Sequence, residues 1–342
     1  MQFINILLSV LLSLGAAACD DDKSPSFPDK PTYEMSGFAK GADVSWVTEM
    51  ESVGTKFYDA NGKQTECMTL LRDYGMNSIR LRVWVNPEKG WCNKSDVIAK
   101  AWRASKLGMR IMTDFHYSDS WADPGQQTKP AAWAGMSMEE LKVAVADHTK
   151  DVLQALKDKG ITPEWVQVGN ETGNGMLWEE GKAADNMKQY AELNNAGYDA
   201  VKSVFSDAKV IVHLQEGNKN GLFRWLFDGL KKNGGKWDVI GMSLYPESTT
   251  WQTMNSDCLN NIKDMITRYG CEVMMCEAGM PWDEAEACKA FLTDLITKCK
   301  SVDKCLGVFY WEPQCINSWN WYSKGAFDNT GKPTVAMDAF KE

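Results

Sequence analysis

Short β-rich runs alternate with longer helical patterns along almost the whole chain, and no break in composition interrupts them. The spacing predicts strands over Phe38–Ser45, Ser78–Val85, Arg110–Tyr117, Trp165–Glu171, Lys209–Gln215, Val239–Tyr245, Glu272–Ala278 and Gly307–Glu312. Between them it predicts helices over Gln64–Tyr74, Asp96–Leu107, Met138–Lys159, Asn186–Phe205, Phe223–Lys232, Leu259–Tyr269 and Asp283–Lys300. The helix from Met138 is preceded by a capping box, Ser137 with Glu140, and Leu141, Val145 and Val152 share one of its faces. Gly108, Gly160 and Gly270 stand where a helix-ending glycine belongs. Eight strand–helix units without a break fit a single (β/α)8 TIM barrel, a fold of about 250 residues before insertions. With 342 residues, 44% of them hydrophobic, the chain can fill one such core. A doubly wound open sheet is the structural rival, but no strand leads into a Gly-rich phosphate turn, and both GxGxxG and GxxxxGK[ST] are absent. Chemistry on a barrel belongs at the C-terminal mouths of its strands.

The barrel is expected to occupy residues 37–342. Met1–Ala18 is an apolar run ending in small residues, too short for a membrane span and placed like a signal peptide. The sequence Gly15-Ala16-Ala17-Ala18-Cys19 resembles a bacterial lipobox, which implies cleavage after residue 18 and lipidation of Cys19. No Lys or Arg precedes the apolar run, and Ala16 holds a place usually given to Leu. The following Asp20-Asp21-Asp22-Lys23 is similar to the acidic export tag of bacterial surface lipoproteins, and residues 19–36, with Pro25 and Pro28, read as a tether. The expectation is an exported protein, an outer-membrane or cell-surface lipoprotein, or failing lipidation a secreted or periplasmic one. Membrane contact would run only through the lipid anchor.

A net charge of −9 argues against nucleic acid as a partner. Fifteen Trp are many for this length, and Trp both fills cores and stacks on sugar rings. Ten Cys include six between Cys258 and Cys305, whose spacing fits no zinc pattern. Three His, of which His148 falls mid-helix as a surface or packing residue, leave little for a metal site, and HExxH is absent. GxSxG is absent too, so a serine nucleophile has no elbow. Cys276, just before Glu277 on a strand, reads as core.

Polar residues gather where the strands end. These are Asp43, Arg80 and Arg82, Asp114, His116 and Asp119, Asn170-Glu171, His213, Tyr245, Glu277 and Trp311-Glu312. Glu171 and Glu277 end strands four and seven, which face each other across a barrel mouth and can flank one scissile bond. Glycoside hydrolysis needs such a pair: one carboxyl donates a proton while the other attacks or activates water. Mutual repulsion raises the pKa of one and keeps it protonated, and Arg82 is the expected cation that holds the other ionised.

Several segments resemble glycoside hydrolase family 53, the endo-β-1,4-galactanases. They are Lys40–Ser45 (KGADVS), Phe57-Tyr58-Asp59, Ser78–Pro87 (SIRLRVWVNP), Asp114–Pro124 (DFHYSDSWADP), Val166–Trp178 (VQVGNETGNGMLW), His213-Leu214, Tyr245-Pro246 and Val308–Pro313 (VFYWEP). DFHYSDSWADP is the most specific, since barrel architecture does not require it. The resemblance implies a retaining (β/α)8 enzyme with Glu171 as acid/base, Glu277 as nucleophile and Asn170 near the sugar 2-hydroxyl. It implies Arg82, His116 and Tyr245 around the cleaved bond, Trp311 as an aromatic floor, and Trp121 and Asp123 in the cleft wall. It further implies endo-cleavage of β-1,4-galactan in pectic galactan or arabinogalactan by a monomer, with no cofactor. Thr172 and Ala278-Gly279 depart from the family pattern. Some bacterial relatives hold calcium after strands seven and eight; no carboxylate cluster stands there, so no metal is expected. The alternatives are a retaining barrel acting on mannan, xylan or glucan, and a non-catalytic glycan-binding lipoprotein.

Overall fold

In the computed structural model, which describes residues 35–341, eight parallel strands close into a barrel in sequence order, with the last paired to the first. In chain order the elements are β1 (Ala39–Asp43), α1 (Val47–Ser52), α2 (Cys67–Asp73), β2 (Ser78–Val83), α3 (Lys94–Lys106), β3 (Arg110–Phe115), α4 (Met138–Asp158) and β4 (Trp165–Val168). They continue with α5 (Ala183–Val204), β5 (Lys209–Leu214), α6 (Asn220–Lys232), β6 (Val239–Leu244), α7 (Trp251–Tyr269), β7 (Glu272–Ala278), α8 (Ala285–Lys300) and β8 (Cys305–Trp311). A 3-10 segment, Val335–Phe340, packs on α8 where an eighth outer helix would lie. The Lys40 ammonium on β1 donates to the Phe340 carbonyl at 2.6 Å, so the two ends of the barrel are tied.

Strand periodicity sorts the side chains into two compartments. Ile79, Leu81, Val83, Val210, Val212, Leu214, Val308 and Tyr310 point outward into the layer between sheet and helices. Ala39, Met112, Trp165, Ile211, Val239, Met274, Cys276 and Phe309 point inward and fill the lower barrel. Phe309 needs Gly41 beside it, where an added Cβ would sit 2.3 Å from the ring. Higher up, the inward positions turn polar: Asp43, Arg80, Asp114, Gln167, His213 and Ser243 are all buried.

Local signals set the helix ends. Ser137 and Glu140 close both bonds of the capping box on α4. Gly270 ends α7 in the left-handed region at φ 72°. That helix starts at Trp251, eight residues before its expected start at Leu259. Its first turns bury Asn255, which donates to the Phe291 carbonyl and the Asp294 carboxylate, so they lack the apolar spacing that marks a helix. His148 packs its ring against Phe115 and Trp133. The nine cysteines of the described residues are free, and all but Cys271 are buried. Among the described residues no helix is long and apolar enough to cross a membrane. Cys19 and the proposed signal and tether lie outside the described residues, apart from the last two tether residues.

Candidate active site

The C-terminal ends of the strands surround a cleft of about 740 Å³, lined by residues that include His116, Trp121, Asp123, Asn170, Glu171, Ser243, Tyr245, Glu277, Trp311 and Tyr322. Its floor is a charged layer built on Arg80. This guanidinium, 0% exposed, lies 2.9 Å from Asp43, 2.8 Å from Asp114 and 2.9 Å from Glu277 Oε1. It also donates to Gln167 Oε1 and, at 2.9 Å, to Asn170 Oδ1. A buried cation is tolerated when its donors meet well-placed acceptors, and here they do. Burial pushes the Asp114 carboxyl up, but Arg80 and His116 outweigh it and hold it below its ordinary value.

Glu277 reaches the cleft through an irregularity in β7. The register runs Met242 to Met275 and then Ser243 to Glu277, so one extra residue of β7 is accommodated at Cys276. A bulge of this kind re-aims a side chain, and it brings Glu277 level with Ser243. The Tyr245 hydroxyl donates to Glu277 Oε2 at 2.7 Å, so both carboxylate oxygens are engaged. Glu171 follows β4 at φ 46°, a backbone conformation that L side chains seldom adopt. The Ser243 hydroxyl donates to its Oε1 at 2.8 Å.

The environments of the two glutamates differ. Burial, with the negative charge of Glu277 second, pushes Glu171 up to about 8; the Ser243 hydrogen bond and Arg80 oppose this only partly. Burial raises Glu277 as well, but Arg80 in direct contact and the Tyr245 hydroxyl work against it. The pair titrates together, and the proton it retains resides on Glu171, which has no cation in contact.

His116 is 3% exposed. Its Nδ1 accepts from Trp84 Nε1 at 3.3 Å and from the Ala122 backbone at 3.1 Å, so Nε2 carries the hydrogen toward Asp114 at 3.1 Å. Burial lowers its pKa against the pull of Asp114, and it is a neutral donor. Asn170 donates to the Ala122 carbonyl at 2.8 Å, joining β4 to the loop after β3. Asp123 braces that loop by accepting from Gly125 N at 2.8 Å and Gln126 Nε2 at 3.0 Å. Trp121, Trp46, Trp311 and Tyr322 meet edge to face or at a tilt, with centroids 4.5–6.1 Å apart, and form one aromatic wall.

One expectation is corrected. Arg82 does not stand beside either glutamate. It lies under the aromatic wall, its guanidinium carbon 4.2 Å from the Trp121 ring centroid and 4.9 Å from that of Trp84, with Glu312 at 3.4 Å. Arg80 and Arg82 share the inward face of β2, and the stagger of the barrel decides which one reaches the centre. Residue 80 lies one pleat deeper, on the axis, and takes Glu277. Ser243 and Gln167 were not among the expected site residues. Ser243 carries a legible signal, lying two residues before Tyr245 on the same strand face. Among the described residues no group of three or more His, Cys, Asp or Glu side chains is placed to hold a metal.

A (β/α)8 barrel whose fourth and seventh strands present a protonated and a charge-paired glutamate across one cleft is the architecture of a glycoside hydrolase. The sequence model of glycosyl hydrolase family 53 matches residues 39–340, and the chain belongs to that family. It is 34% identical to the arabinogalactan endo-β-1,4-galactanase of Cellvibrio japonicus, over 89% of each chain. To the endo-β-1,4-galactanase of Bacillus subtilis it is 32% identical, over 91% of this chain and 80% of that one. A solved fungal β-1,4-galactanase superimposes with a TM-score of 0.84 at 29% identity, covering 90% of this chain and 100% of that one.

Proposed function

We propose that this protein is an endo-acting β-1,4-galactanase that cuts pectic galactan and arabinogalactan side chains with net retention. The observation that carries the reading is the opposed environment of Glu171 and Glu277. In the first step Glu277 attacks the anomeric carbon while Glu171 gives its proton to the glycosidic oxygen; the C–O bond breaks and a glycosyl ester forms on Glu277. Esterification removes the charge that helped raise the pKa of Glu171, so the Glu171 carboxylate left behind becomes a weaker base only after it has served as the acid. In the second step it takes a proton from water as the water oxygen attacks the same carbon. The ester bond breaks, Glu277 leaves as a carboxylate, and Glu171 is protonated again.

Substrate choice rests on shape and on polar pairing. The axial 4-hydroxyl of galactose bends a β-1,4-chain at each linkage, and an aromatic wall whose rings, Trp121, Trp311 and Tyr322, meet edge to face instead of lying in one plane suits a bent chain better than a flat ribbon. An equatorial isomer leaves polar groups of the cleft unpaired, at about 1–3 kcal/mol each. Purified protein is expected to lower the viscosity of linear β-1,4-galactan before much free galactose appears, and to act little on cellulose, mannan or xylan. Faster release of reducing ends from mannan or β-glucan than from galactan overturns the substrate assignment.

The same reading places the enzyme at the cell surface on a lipidated Cys19, supported by the small-residue run before that cysteine and the polar stretch after it. Mass spectrometry of the native protein is expected to find a diacylglyceryl-modified Cys19 as the first residue, and Cys19→Ala to release the enzyme from membranes. An unmodified N-terminus at any other residue overturns it.

A further inference from the structure

Behind Glu171 runs a chain of hydrogen bonds that the two-glutamate mechanism does not use. His213 Nε2 lies 2.8 Å from the Ser243 hydroxyl, which in turn lies 2.8 Å from Glu171 Oε1. The direction of the chain follows from counting hydrogens. Ser243 has one hydroxyl hydrogen, and a carboxylate oxygen can only accept, so that hydrogen points at Glu171 whenever Glu171 is charged. Ser243 must then accept from His213 Nε2–H. The other side of the imidazole fixes the same direction when Glu171 holds its proton: Nδ1 faces two donors, the Gln167 amide at 3.0 Å and the Glu171 backbone N–H at 3.4 Å, so the single imidazole hydrogen sits on Nε2 in either state. The Asn170 oxygen, also 3.0 Å from Nδ1, takes its hydrogen from Arg80 at 2.9 Å, because the second hydrogen of the Gln167 amide goes to Asp114. Burial pushes the His213 imidazole well below its ordinary pKa, so it stays neutral with a single N–H to direct.

The packing preserves this arrangement. His213 and Ser243 are almost without solvent contact. Residue 241, opposite His213 in the register of β5 and β6, is a glycine; a Cβ there would lie 3.1 Å from His213 Cβ and 2.8 Å from Cys276 Sγ. The Thr172 backbone N–H donates to the His213 carbonyl at 2.8 Å, which joins the turn carrying Glu171 to the strand carrying His213.

We propose that Ser243, oriented by His213, is a positioning residue for general acid catalysis: it occupies Oε1 of Glu171 and so reserves Oε2 for the proton that is delivered to the glycosidic oxygen. The inference rests on the acid/base role of Glu171 argued above. A glutamic acid that can rotate offers its proton from either oxygen and in either direction; one held through Oε1 presents the proton from one. The other groups acting on Glu171 are the Glu277 carboxylate across the cleft, Arg80 below and Asp123 from the loop after β3, and none of them hydrogen-bonds Oε1.

Ser243→Ala tests this, with Ser243→Thr as the variant that keeps the hydroxyl and Ser243→Cys as a second variant of nearly native size. On galactan, Ser243→Ala is expected to lose about tenfold or more in kcat, the factor expected for one hydrogen bond to a charged group. On an activated aryl galactoside, whose leaving group needs no proton, it is expected to lose less than about twofold. Its basic limb is expected to move to higher pH, because a donor that stabilised the carboxylate is gone. Ser243→Thr is expected to restore both, and Ser243→Cys, a weak donor, to fall between. If Ser243→Ala does not fold, Ser243→Cys carries the test, with a smaller shift in the same directions. Equal losses on both substrates with an unmoved basic limb overturn the proposal. Glu171→Ala measured alongside separates the two ideas: if it fails to spare the activated substrate, the acid/base assignment itself is wrong.

Discussion

Arg80 has three carboxylates within 3 Å and no contact with solvent, so its charge cannot be removed without leaving acidic side chains buried and unpaired. Arg80→Met is therefore expected to cost about 3–5 kcal/mol in urea unfolding and to abolish turnover; a loss below 1 kcal/mol would show that the cluster is solvated. The glutamates should fail differently. Glu277→Ala is expected to stop turnover on every substrate, while Glu171→Ala loses on the order of 10²–10⁴-fold on galactan and far less on an activated aryl galactoside. The reverse pattern would exchange their roles. With its pKa pushed up to about 8, Glu171 donates a proton only below that range, so native activity should fall as pH rises through about 8. Stability carries the same sign. The folded pKa of Glu171 lies above its unfolded value, so its favourable contribution is complete below the unfolded value and lost as pH rises through about 8. Glu171→Gln, neutral throughout, is expected to melt a few degrees above the native protein at pH 9 and close to it at pH 4 by calorimetry.

Individual elements divide between holding the barrel and aiming the site. α4 begins with a complete capping box that bonds only Ser137 with Glu140, neither of which lines the cleft, so Ser137→Ala should cost about 1 kcal/mol of stability and leave kcat unchanged. Gly241 lies on a strand that aims the site, and the contacts awaiting a Cβ there belong to His213, Ile211 and Cys276. Gly241→Ala is expected to cost about 1–3 kcal/mol through overpacking and to lower turnover as well, checked by urea unfolding beside steady-state kinetics. The two substitutions together distinguish a strand that positions chemistry from a helix that only encloses the core. The β7 irregularity at Cys276 belongs with the first kind. Without the extra residue, the period of two would turn Glu277 to the opposite face of the sheet from the cleft.

At the scale of the molecule, the eight parallel strands and their mouths were legible because period-two strands, period-3.6 helices and glycine stops are local signals that the fold does not override. Glu171 and Glu277 were legible with them, since each ends a strand of an ordered series and barrel geometry sets strands four and seven face to face. The start of α7 was not, because buried Asn255 breaks the apolar spacing and finds its partners on α8. Nor was the choice between Arg80 and Arg82: two residues of one type on one strand face are equivalent to any local rule. Only the stagger of closed strands places one on the barrel axis among carboxylates and the other beneath tryptophans. Ser243 was missed for a related reason. Its place two residues before Tyr245 marks it as inward-facing, but its role exists only once the Glu171 carboxylate, carried by another strand, comes within 2.8 Å of its hydroxyl. The sequence by itself thus determined the barrel, its mouth and the two carboxylates that meet there from strands four and seven. Tertiary structure decided which cation, hydroxyl and imidazole tune them, because those roles exist only in contacts between residues far apart in the chain.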